Sequence, residues 1–198
     1  MFSPCFQCFS AKSSSFVPLG HALTVPKQNI GFIADYFIPD EILEEIMLQT
    51  KQPVVVIGRA SKLANVHSVV MTAFPAYYTM LDILKRMGYN AFICCEDVHP
   101  TRYEAKQQHQ FYQKLVTEEN ACNLTDFHRV SQVQAKVLLQ NALAKFPGKR
   151  IVVLAASDYI ARSVIDMLQE LNLKVPEQVG VVSFYGTRLA TDYPPRLS

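Results

Sequence analysis

From Asn29 onward, short apolar runs alternate with longer amphipathic stretches. Gly31-Phe32-Ile33-Ala34 reads as a strand, Val54 to Ile57 as a second closed by Gly58, and Val66 to Met71 as a third, short one. Ala91 to Cys95, Ile151 to Ala155 and Val179 to Phe184 extend the series. These runs are continuously apolar rather than alternating, the pattern of strands covered on both faces. Between them lie helices. Pro39 suits a first helical position, Asp40, Glu41, Glu44 and Glu45 favour its positive end, and Ile42, Leu43, Ile46 and Met47 form the apolar stripe. Pro75 opens a helix that Gly88 stops, and Thr101 to Glu118 reads as another. Ser131 caps a helix carrying Val133, Val137, Leu138 and Leu143; Ser157-Asp158 caps one carrying Ile160, Val164, Ile165 and Leu168. Strands alternating with helices predict an α/β fold with parallel sheets.

Residues 1–28 break this grammar. Pro4, Pro18, Pro26 and Ser13-Ser14-Ser15 interrupt any period, so an irregular segment is expected there. Glu96-Asp97-Val98-His99-Pro100 is polar and marks the best internal seam, dividing the chain into lobes at 29–97 and 98–198. A length of 198 residues allows one domain or two small lobes. Composition narrows this further: 49% hydrophobic and 18% charged residues argue against intrinsic disorder, and a net charge of +2 gives no strong nucleic-acid signal. No apolar run reaches the length of a membrane span, the first twenty residues make a poor signal peptide, and five scattered cysteines are no disulfide scaffold. The expected compartment is the reducing cytoplasm, without a membrane partner.

Several residues could carry chemistry. Cys5-Phe-Gln-Cys8 has the spacing of half a zinc site, but no second pair of ligands occurs, so no metal is expected. Cys94-Cys95 ends a strand and reads as core. Glu96, Asp97 and His99 cluster beyond a strand end; they form either an acid–base group or, more plainly, a solvated crossover loop. Asn123-Leu-Thr125 fits a glycosylation acceptor that matters only in a secreted chain. Nucleotide and serine-hydrolase fingerprints are missing, and no cofactor is expected.

The stretch Leu154-Ala-Ala-Ser-Asp158-Tyr-Ile-Ala161, followed by Leu168 and then Lys174-Val-Pro176-Glu-Gln-Val-Gly-Val-Val-Ser-Phe184, resembles the lactose-repressor (LacI/GalR) family, with Val-Pro-Glu at 175–177 its most specific piece. Pro53-Val-Val-Val-Ile-Gly-Arg59, Ser68-Val-Val70, Gly88-Tyr89 and Pro194-Pro-Arg-Leu-Ser198 match further family pieces in order over 29–198. The resemblance implies two Rossmann-like lobes of the periplasmic-binding-protein type I class. Homodimers, a sugar-like effector and transcriptional control through an N-terminal helix-turn-helix are implied with it. No helix-turn-helix precedes Asn29, so the chain is expected to be truncated at both ends and to reach DNA only through a head it lacks. The family's ligand positions fall on Gln107, Ser157, Asp158 and Tyr185. Gln107, Ser157 and Tyr185 keep hydrogen-bonding capacity without the family's charged set. The expected function is an effector-sensing, dimerising region and not an enzyme. The alternatives are a stand-alone α/β binding protein or enzyme using Glu96, Asp97 and His99, and a degenerate regulator fragment.

Overall fold

The computed structural model describes the backbone of residues 6–9 together with residues 31–97, 102–125 and 127–192. Two compact units emerge, residues 1–72 with 100–104, and residues 73–99 with 105–198.

In the first unit, β1 (Phe6–Phe9), β2 (Gly31–Asp35), β3 (Val54–Ile57) and β4 (Val66–Val69) form a parallel sheet in the order β1-β2-β3-β4. The segment expected to be irregular thus contributes a strand at Phe6–Phe9. Helix α1 (Asp40–Thr50) connects β2 to β3. Pro39 is its N-cap rather than its first helical residue, and Lys51 closes it in the left-handed region at φ 56°. Leu43 and Ile46 pack on Phe32, Ala34, Val54, Val56 and Val66. Registers pair Ile33 with Val55 and Ile57 with Val69, and this alternate set is less covered, with Ile57 and Val69 exposed. The expectation of two covered faces therefore fails in this unit among the described residues. The third strand stops at Val69, because Val70 and Met71 leave the sheet.

The second unit is a three-layer sandwich. Its parallel sheet runs β6-β5-β7-β8, from β5 (Ala91–Cys95), β6 (Ala121–Leu124), β7 (Ile151–Ala155) and β8 (Val179–Ser183). Helices α2 (Phe74–Arg86) and α3 (Tyr103–Glu118) cover one face, where Tyr77, Leu81, Leu84, Phe111, Tyr112 and Leu115 meet Phe92, Cys94, Val152 and Leu154. Helices α4 (Gln132–Leu143) and α5 (Asp158–Glu170) cover the other, where Ala135, Leu139, Ile160, Val164 and Leu168 meet Ile93, Cys95, Val153 and Val181. A single turn of 3-10 helix at Phe127–Arg129 and the short α6 (Arg188–Thr191) complete it. Every residue of β5 and β7 is buried, as continuous apolar runs require.

The lobe boundary expected between 97 and 98 is corrected by this packing. Helix α2 and β5 share one core with β7, so they belong to the second unit, and the division falls at 72–73 with 100–104 returning to the first.

Candidate functional site

In an open parallel sheet, ligands approach the carboxyl ends of the strands, where loops and helix N-termini expose polar groups. In the second unit that edge is built by the residues following β5, β7 and β8. Ser157 turns the chain from β7 into α5; its hydroxyl oxygen accepts the Ile160 N–H at 3.3 Å, the ordinary N-cap bond. Asp158 opens α5 and is 2% exposed. Its carboxylate accepts from the Ser183 hydroxyl at the end of β8 and from the Thr187 N–H. Burial opposes ionisation, but bonds from Ser183, Thr187 and Gly186 outweigh it and hold the carboxyl below its ordinary value of 3.8. The carboxylate is therefore turned inward, joining α5 to the loop after β8.

Gln107 lies on α3 at 3% exposure, and its Oε1 accepts the Ala73 N–H at 2.9 Å at the start of α2. Tyr185 stands in the loop after β8, 42% exposed. The four expected ligand residues thus divide between the α5–β8 corner, which holds Ser157, Asp158 and Tyr185, and the α2–α3 face, which holds Gln107. Neutral donors and acceptors dominate them.

The Glu96, Asp97 and His99 cluster takes a different form. Glu96 is fully buried rather than a solvated loop residue, because Oε1 lies 2.6 Å from His109 Nδ1 and Oε2 accepts from Asn123 Nδ2 at 2.6 Å. Asp97 is half-buried, and His99 lies outside the described residues. His109 and Asn123 were not singled out together in the sequence: they sit 13 and 27 residues beyond Glu96, and only the α3–β6 packing joins them. Asn123 lies in β6 with its amide on Glu96, which is no setting for a glycosylation acceptor. Cys94, Cys95 and Cys122 are buried free thiols, and burial raises the pKa of each. Cys5 falls outside the described residues, as do the positions matched at 194–198. Among the described residues no group of three metal-ligating side chains forms.

Residues 81–198 match the model of the periplasmic binding protein-like domain. Catabolite control protein A of Staphylococcus aureus is 28% identical over 161 residues, covering 80% of this chain and 48% of the relative. The chain therefore spans about half the length of the curated relatives it matches. Among solved structures, a LacI-family sugar-binding transcriptional regulator from Enterococcus faecalis superposes with a TM-score of 0.66 at 17% identity, covering 88% of this chain and 66% of that one. The Escherichia coli transcriptional repressor ascG gives 0.62 at 18%, covering 86% and 63%. These likenesses establish the α/β fold with its parallel sheets.

Proposed function

Because the chain belongs to the periplasmic binding protein-like domain family, we propose that it is the effector-sensing and dimerising region of a LacI-type transcriptional regulator. Its ligand is a small, neutral, sugar-like polyol held at the carboxyl edge of the second unit's sheet. One observation carries the choice of a neutral ligand. The full charge among the four ligand residues, Asp158, is occupied by Ser183 and Thr187, while Gln107, Ser157 and Tyr185 offer uncharged hydrogen bonds. Such groups match hydroxyls in both directions, whereas an anion would leave a buried carboxylate opposed to it.

The protein acts by binding rather than turnover. Effector binding shifts a two-state equilibrium that a DNA-binding head reads, and that head lies outside residues 29–192. Cytoplasmic placement follows from this role, and no described helix is long and apolar enough to cross a membrane. The homodimer draws support from exposed Val133 and Val137 on α4 and exposed Tyr159 on α5.

Thermal-shift and calorimetric titration with neutral monosaccharides and their phosphate esters tests the reading. A neutral sugar should raise the midpoint, and Gln107→Ala and Tyr185→Phe should each weaken it about five- to tenfold, the value of one hydrogen bond. Preference for the phosphate esters, or no response to any sugar, would overturn it.

A further inference from the structure

A cavity of about 200 Å³ lies within the second unit, between the 3-10 turn, α4 and α5. None of the four expected ligand residues lines it. Its floor is apolar: Phe127, Ala135, Ile160 and Met167 are buried and belong to the core on that face of the sheet. Its rim is polar, with Gln132 exposed at the start of α4 and Ser163 half-buried on α5. Protein interiors pack densely, and space left in a core costs stability. Here an alanine at 135 leaves open a space that a larger apolar side chain would occupy. Water fills such a floor poorly, because a buried water needs about two to four polar partners and these four side chains offer none. A dry apolar cavity of roughly 150 Å³, by contrast, is large enough to hold a benzene ring.

We propose that this cavity is a second ligand site, independent of the sugar reading, for a small phenol: one aromatic ring carrying one hydroxyl. The volume admits a single substituted ring. The Phe127 ring favours an aromatic neighbour edge-on or offset, and the Met167 thioether packs well against a ring edge, so an aromatic ring is preferred to a saturated one of the same size. The Ser163 hydroxyl already donates to Tyr159 O at 3.2 Å, so its oxygen is left to accept. The ligand must therefore bring the donor. A phenol does so, whereas its methyl ether can only accept. Binding is non-covalent, and no proton is transferred.

Titration of the full chain with phenol, anisole and cyclohexanol, read by calorimetry and NMR, tests the site. Phenol should bind wild type saturably, with a Kd on the order of 1 mM, and about five- to tenfold more tightly than anisole, the value of one hydrogen bond. Cyclohexanol, which keeps the hydroxyl and lacks the ring, should bind more weakly than phenol. Ser163→Ala should abolish the preference for phenol over anisole. Ala135→Leu should fill the space, keep the unliganded melting midpoint and abolish phenol binding. Intermolecular NOEs from phenol to the Met167 methyl and the Phe127 ring should place the ligand in wild type, and they decide the matter even where Ala135→Leu does not fold. No saturable phenol binding by wild type, NOEs to other residues, or undiminished binding by folded Ala135→Leu would overturn the site. Equal wild-type affinity for phenol and anisole would overturn the hydroxyl contact and the ligand class with it.

Discussion

Asp40 and Asp158 do the same work in different units. Each sits at the start of a helix and ties it to a loop distant in sequence: Asp40 to Ser61 and the Lys62 N–H, Asp158 to Ser183 and Thr187. Burial raises both pKa values, hydrogen bonds lower them more, and for Asp40 the Arg59 guanidinium at 2.7 Å adds to the lowering. The folded-state values are depressed, so the stabilisation is present above the unfolded aspartate pKa and is lost as pH falls through the folded one. Melting midpoints should therefore drop on acidification below about pH 4, and Asp158→Asn should flatten that acid limb. Arg59 is nearly buried and its guanidinium also donates to Ile38 O and Ala60 O, so Arg59→Ala removes the ion pair with Asp40 and leaves the Ile38 carbonyl without that donor, and should cost roughly 1–3 kcal/mol in urea unfolding. Local sequence announces Asp158 as a helix-opening residue. Its bond to Ser183, 25 residues on, is invisible there, because any serine at a strand end looks alike.

At the scale of elements, caps and glycines decide more than propensity. The N-cap at Ser131 was readable from the serine before an apolar stripe; the structure adds Gln134, which closes a reciprocal capping box with it at the start of α4. Ser131→Ala should lower stability by about 1 kcal/mol with no change in ligand response, measured by urea melts. In β8, a Cβ at Gly180 would lie 2.6 Å from the Tyr89 hydroxyl, so Gly180→Ala forces the ring aside and should cost about 1–3 kcal/mol. Tyr89 is also held by Arg150, whose guanidinium carbon lies 4.7 Å from the ring centroid, and so yields poorly. Strand β6 escaped sequence reading for a physical reason. Ala121–Leu124 is four residues long, contains a polar Asn, and is stabilised by pairing with β5 rather than by an apolar run of its own.

At the scale of the whole molecule, the two units differ in how their sheets are covered. Among the described residues the second has packed layers on both faces, while the first has one core built around α1. Hydrogen exchange should accordingly be faster in β2 and β3 than in β7, with Leu43→Ala accelerating the first unit alone. Exposed Val133 and Val137 belong to this scale too, since an apolar strip on a polar-faced helix favours a covering partner. If the chain dimerises there, Val137→Asp should shift sedimentation toward monomer and leave the melt of the second unit intact.

Sequence alone determined the alternation of most strands and helices from Gly31 on, the parallel α/β class and the full burial of β5 and β7, because those follow from periodicity, capping residues and continuous apolar runs acting over a few residues. Tertiary structure decided the division at 72–73, since α2 and β5 pack with β7 and no local signal records it. It also turned the Asp158 carboxylate inward, and it assembled Glu96, His109 and Asn123 into one group. Those facts depend on which faces meet, and side chains from a strand, a helix and a neighbouring strand acquire a shared chemistry only when the sheet brings them within hydrogen-bond reach.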